Sequence, residues 1–397
     1  MASARVTDRP RLVAIRAEAL FDGVSSVLVR DPLLVMDGPA IVSVDSAVAP
    51  PPGAEVVDLA GATLLPGLID THVHLAFDGS ADPVAALAGR DDGAVLAAMS
   101  AAGRAALRGG VTTVRDLGDR GYLSLGLRGA GDLPTIVAAG PPITTPAGHC
   151  HFLGGGAEAT PQALRAAVRE RAERGVDVIK VMASGGTMTP GTRQETSQFT
   201  ADLLRVVVDE AHRLGLPVTA HAHGTAAIRM SLDAGVDGME HVSFWSADGV
   251  DEPGDLIGRI AESRVAVGIT GGVVPAPGAA PPPAVAIRLP RIVANTRRLY
   301  DAGAHLILGT DAGIGLPKPP DVLRFALEQT ALIGVAPRTA LSLATATAAA
   351  ACGLGDTKGR LAPGFDADVL AVDGNPLADL AVLHRIRAVF ARGIRVV

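Results

Sequence analysis

The chain has 397 residues, with 35 Lys plus Arg set against 41 Asp plus Glu and a net charge of −6. That balance, with no Lys/Arg-rich run, leaves no electrostatic footprint for nucleic acid or an anionic membrane and points to small-molecule partners. Its two cysteines, Cys150 and Cys352, lie far apart and indicate neither a disulfide framework nor a thiolate zinc site, which fits a reducing compartment. The first residues carry no uninterrupted apolar stretch, and no segment offers the roughly 18 uncharged apolar residues of a membrane span. A cytoplasmic protein without membrane association is expected, with a homo-oligomer left open.

In chain order, residues 12–65 alternate apolar stretches such as LLVMDGPAIVSV with Gly, Pro and Asp, and read as small antiparallel strands. Eight short β-rich runs follow, at 64–70, 111–116, 135–140, 177–183, 217–221, 238–242, 265–270 and 305–311. Between them lie helical patterns at 94–107, 161–174, 201–214, 225–234, 291–302 and 338–350. Strands alternating with helices predict an α/β fold, specifically a (β/α)8 TIM barrel. The Pro/Gly-rich segments 271–283 and 313–320 follow the seventh and eighth runs and read as rim loops. Residues 358–397 return to short strands, so the expected organisation is a hydrolase barrel over 66–357. A small discontinuous β-sandwich, built from 1–65 plus 358–397, would complete it.

The ends of the predicted strands carry most of the polar chemistry. The first ends in DTHVH, and His72 and His74, two apart on an extended chain, share a face. The fourth carries Lys180 in DVIKVMASGG, the fifth His221 and His223 in TAHAHG, the sixth His241 in MEHVS, and the eighth Asp311 in LGTDAG. An isolated HxH pair is more often a hydrogen-bonded core or rim pair than a metal site. The whole set, late in strands whose interiors favour Val, Ile and Leu, points to a metal-ligating cluster suited to zinc or another divalent ion.

Lysine is scarce here: Lys180, Lys318 and Lys358 are the only three among 35 basic residues. Arginine is permanently charged, whereas a buried lysine can lose its proton. Neutral, Lys180 can add carbon dioxide and become a carbamate whose oxygens bridge two cations. The competing readings are a Schiff-base lysine and a lysine snorkelling to the barrel mouth. His149 and His151 follow the third strand and either reach substrate from the rim or form a polar turn. Arg193, in TMTPGTRQETSQ, either grips a substrate carboxylate or is a solvated loop residue. His212 and His305 read as structural.

PGLIDTHVHL, VIKVMASGG, TAHAHG, EHVSF and LGTDAG, in that order, together with GRLAPGFDADVLAVDGNPL, resemble the amidohydrolase superfamily over nearly the full length. The likeness is greatest to its metal-dependent amidase branch, which includes Xaa-Pro dipeptidase-like, arginine carboxypeptidase-like and ochratoxinase-like enzymes. Imidazolonepropionase is a more distant relative. The resemblance implies two divalent ions, zinc by default, with His72 and His74 on the more buried one and His221 and His241 on the more exposed one. It implies carbamylated Lys180 bridging both, and Asp311 as both ligand and proton shuttle.

The expected activity is hydrolysis of an amide or peptide bond, in a dipeptide or N-acyl amino acid, by a metal-bridging hydroxide. His149 or His223 would help hold the oxyanion. A cyclic amide or lactone hydrolase is the alternative, with a deaminase or Schiff-base lyase behind it. Two segments depart from the family pattern: VSFWSADG after His241, where relatives often place a tyrosine, and the loop GHCHFLGG.

Overall fold

The computed structural model describes residues 12–275, 281 and 283–397. Part of the predicted 271–283 rim loop, and residues 1–11 of the predicted terminal unit, lie outside the described residues.

The two ends of the chain share one sheet. Its hydrogen-bonded order runs Ile394–Arg395, Ile386–Ala391, Val369–Asp373, Glu55–Pro66, Val13–Leu20, Pro32–Asp37, Ala40–Ser46, and Val29–Arg30 pairs to the side of Val13–Leu20. The antiparallel expectation fits every pair but one: Val13–Leu20 runs parallel to Glu55–Pro66. Ile15, Leu34, Met36, Leu64, Val369 and Phe390 form its apolar cluster.

Eight parallel strands follow, and they form two arcs. Leu68–Val73, Val111–Asp116 and Thr135–Ala138 make the first; Ile179–Met182, Val218–Gly224, Gly238–Ser246, Ala266–Thr270 and Leu306–Gly309 make the second. The arcs meet at both seams through single parallel bridges, Val73 to Ala312 and Ile143 to Val181. At the first seam the Asp70 carboxylate accepts from the backbone N–H groups of His72 and Thr310 at 3.2 and 3.1 Å, and the N–H groups of Thr310 and Asp311 also reach the His72 carbonyl at 3.2 and 2.7 Å. Leu68, Val114, Ile179, Val181, Met239, Val267 and Leu308 are buried between strands and helices.

Local signals explain most boundaries. Asp91, Thr160 and Thr200 cap the helices Asp92–Arg108, Pro161–Arg174 and Ala201–Arg213 by accepting backbone N–H bonds, and Gly175 and Gly235 end helices in left-handed conformations. Two predictions need correction. The first parallel strand starts at Leu68, because Leu64–Pro66 belong to the terminal sheet and pair with Val369–Ala371. The single helix expected over 338–350 is two, Pro337–Leu343 and Ala346–Ala351. Between them the Ala344 carbonyl accepts from Ile69 N–H, and Thr345 leaves helical dihedrals. No helix among the described residues is long and apolar enough to cross a membrane.

Candidate metal centre

The late parts of the parallel strands bring the expected residues into two groups. His72, His74 and Asp311 form one, and His221, His223 and His241 the other; within each group one potential ligand atom per residue lies within 4.8 Å of the others.

In the first group the imidazoles are oriented by their outer nitrogens. His72 Nδ1 lies 2.9 Å from a carboxylate oxygen of Glu240, and His74 Nδ1 lies 3.2 Å from the Gly118 carbonyl oxygen. Both partners only accept, so both Nδ1 atoms carry the proton and both Nε2 atoms present lone pairs. Those Nε2 atoms are 3.3 Å apart, and Asp311 Oδ1 is 3.4 Å from one and 3.2 Å from the other. Burial opposes a charge on His74, but the Asp311 carboxylate outweighs it and raises the His74 pKa, so the cluster attracts positive charge. A metal cation bound there would take the place of a proton, with the outer partners fixing the rings as metal-bound histidines require.

The second group has softer supports. His221 Nε2 donates to the Gly185 carbonyl at 3.1 Å, which leaves its Nδ1 bare and 3.0 Å from His241 Nε2. His241 Nδ1 meets the Thr270 hydroxyl at 2.8 Å. His223, expected as a substrate contact, stacks on His241 with ring centroids 4.3 Å apart, and its Nδ1 meets the Ser243 hydroxyl at 2.7 Å.

Lys180 is 1% exposed, and its Nζ has no hydrogen-bond partner among the described residues. Burial lowers its pKa to about 8, opposed by the charges of Glu240 and Asp311. A charge on Lys180 in turn depresses the basicity of His72, His74, His149, His221, His223 and His241, so the amine is electrostatically central to both groups. Burial holds His72 near 4 and His223 near 4 and pushes His221 and His241 well below the ordinary value, so these rings are neutral, as ligands must be. Burial alone would raise the Asp311 pKa, but His72, His74 and His241 bring it well below the usual carboxylate range. An orphaned buried amine, bare imidazole nitrogens and an ionised carboxylate fit divalent cations.

The backbone is strained at the same place. His241, Val242, Phe244 and Asp311 have φ of 72, 44, 54 and 62°, in the left-handed region that non-glycine residues seldom occupy. The strain serves geometry. Neighbouring residues of a regular strand face opposite ways, yet the bend at His241 lets both Glu240 and His241 serve the centre.

Of the other expected residues, His149 is placed here and Arg193 is not. The His149 ring packs 4.8 Å from that of His221, its Nδ1 lacks a partner among the described residues, and burial lowers its pKa to about 3. Gly186 makes room for it, since a Cβ there would lie 2.3 Å from His149 Nε2. The Arg193 side chain is 72% exposed and pairs with Glu195 at 3.0 Å. His212 holds Asp237 at 2.8 Å, a helix-to-strand tie consistent with a structural role.

Sequence reasoning passed over Glu240, Arg115 and Asp70. Glu240 is fully buried, holds His72, and accepts from Arg115 at 2.9 Å and from the Thr219 hydroxyl at 2.7 Å. The signal was present in MEHVS and VTTVRD: a charged residue within an apolar strand, the same signal that singled out Lys180.

Residues 63–396 match the sequence model of the amidohydrolase family. Ochratoxinase of Aspergillus niger is 30% identical, over 82% of this chain and 73% of its own length. Imidazolonepropionase of Cereibacter sphaeroides is 28% identical, over 92% of this chain and 94% of its own. Among solved structures, a Xaa-Pro dipeptidase with methionine bound in its active site superimposes with a TM-score of 0.83 at 26% identity, covering 97% of this chain and 99% of that one. The chain belongs to the amidohydrolase family.

Proposed function

We propose that this protein is a binuclear metal-dependent hydrolase that cleaves an amide or peptide bond in a small molecule of the dipeptide or N-acyl amino acid type. The carrying observation is the convergence of bare imidazole nitrogens and the Asp311 carboxylate beside an unpartnered, buried Lys180. The ochratoxinase and Xaa-Pro dipeptidase likenesses support the bond type. The two arcs of parallel strands are read as one (β/α)8 barrel over 66–357, and 1–65 with 358–397 as the smaller β unit.

His72, His74 and Asp311 would hold one ion, His221 and His241 the other, and Lys180, as a carbamate, would lie between them. Divalent ions, with zinc the first choice, supply a water of lowered pKa and a Lewis acid for the scissile carbonyl when bound. Asp311, ionised and touching both first-group histidines, takes the proton of the attacking water and passes it to the departing amine nitrogen. His149 and His223 would donate to the carbonyl oxygen as it gains charge. Arg193 would reach a substrate carboxylate only by releasing Glu195.

The test is a mass-spectrometric screen of zinc-loaded, bicarbonate-supplemented protein against dipeptides, N-acyl amino acids, cyclic amides and lactones, with Lys180→Ala as control. Turnover of an open-chain amide, lost in the control, is the expected result. Turnover of cyclic amides alone would favour the second reading, a cyclic-amide hydrolase, to which the imidazolonepropionase likeness points. No turnover, and no metal retained, would sink both.

A further inference from the structure

Lys318 follows the eighth strand in GIGLPKPP, and its ammonium lies among the carbonyl oxygens of Thr310, Gly271 and Thr270, the latter two at 3.3 and 3.5 Å. The loop that delivers it is closed on itself: Gly313 N–H donates to the Lys318 carbonyl at 2.9 Å, and Lys318 N–H to that of Gly315 at 3.0 Å. The neighbouring rim is tied in as well, by Val274 N–H donating to Pro317 at 2.8 Å.

Two of those carbonyls belong to residues that support the proposed metal ligands. Thr270 is the residue whose hydroxyl orients His241. Thr310 immediately precedes Asp311 and is held at each of its polar atoms. Its N–H and hydroxyl donate to Asp70 at 3.1 and 2.6 Å, its hydroxyl accepts from Ala312 N–H at 3.0 Å, and its carbonyl takes Lys318. A residue clamped at every polar atom fixes the peptide that leads into the left-handed Asp311. Asp311 and Asp70 are the acidic groups whose charges Lys318 feels. A flexible stem ending in three freely rotating N–H donors suits this task.

We infer that Lys318 is a positioning residue that couples the two ligand groups, fixing His241 through Thr270 and Asp311 through Thr310. The inference rests on the metal reading above. It assigns Lys318 no contact with substrate, since its donors are occupied by backbone.

Cobalt(II) binding to Lys318→Met, which keeps the alkyl stem, tests this, because the visible bands of cobalt report ligand geometry. Expected are cobalt bands of altered position, affinity weakened by about 10-fold or more at both sites, the range for losing a partner that orients ligands, and a fall in kcat with KM little changed. Lys318→Cys alkylated with 2-bromoethylamine restores an ammonium at nearly the same reach, and should recover the wild-type spectrum. If Lys318→Met melts, Lys318→Gln, which keeps two amide donors, takes its place. Wild-type protein that bound no cobalt would sink the metal reading and this one with it. Wild-type binding matched by an unchanged spectrum and affinity in the variant would overturn the role of Lys318 alone.

Discussion

The two ligand groups use the same side chain and support it differently. In the His72, His74 and Asp311 group the outer nitrogens rest on a buried carboxylate and a backbone carbonyl, and both histidines are nearly closed to solvent. In the His221, His223 and His241 group two of the three rings lean on hydroxyls, those of Ser243 and Thr270, and the strand beneath them is strained. A carboxylate raises the basicity of the imidazole it holds; a hydroxyl, able to donate or accept, enforces neither tautomer nor charge. Under the proposed reading, the first group would hold its ion the more tightly and the second would exchange its ion the more readily.

Four tests probe this comparison, two of which strike one group each. Lys180→Met, which removes the amine central to both, should lower hydrolysis by two to three orders of magnitude, comparable to losing a principal electrostatic contributor. Retained activity would show that neither group needs the lysine. Glu240→Gln strikes the first group alone and should weaken its ion by about 10- to 100-fold, readable by competition with a chromophoric chelator. Thr270→Val strikes the second and should reduce bound metal from two equivalents toward one after dialysis, with affinity down by about 10-fold. Equal losses at both sites in these last two variants would erase the proposed asymmetry.

The smallest effect is on stability. In metal-free protein the pKa of Lys180 falls from an ordinary 10.5 to about 8. Between those values the folded state binds fewer protons than the unfolded one, so stability rises with pH through that window and the full penalty remains below about 8. Relative to Lys180→Met, wild type should gain on the order of 3 kcal/mol from pH 8 to pH 10.5, measured by denaturant unfolding. A flat difference would mean that Lys180 is not buried as an amine.

Much of this centre was legible in one dimension because histidine, lysine and aspartate are poor fillers for strand interiors. His72, His74, Lys180, His221, His241 and Asp311 stand out against their apolar neighbours; the structure gathers His72, His74 and Asp311 into one group and His221 and His241, with His223, into another. What the sequence concealed depends on pairing across the fold. Glu240 was legible as a buried charge, but its reach to His72 depends on the bend at His241. His223 could be placed on the face of His221 by alternation, while its stacking on His241 required the neighbouring strand. Residues 64–66 look like the start of a barrel strand because apolar periodicity carries no record of which sheet claims it. Likewise nothing local in 338–350 announces that Ile69 will take the Ala344 carbonyl and break the helix.

The lysines share one further trait. Lys180 is 1% exposed, Lys358 is 4% exposed between the carboxylates of Asp366 and Asp368, and Lys318 is partly buried among carbonyls. Every ε-amine in the chain is thus enclosed, and the basic surface is arginine. An acylating reagent that modifies primary amines would meet no fully exposed ε-amine on the folded molecule. The pace at which each lysine is acylated becomes a clock for local opening: at Lys358 for the terminal sheet, at Lys318 for the rim, and at Lys180 for the centre.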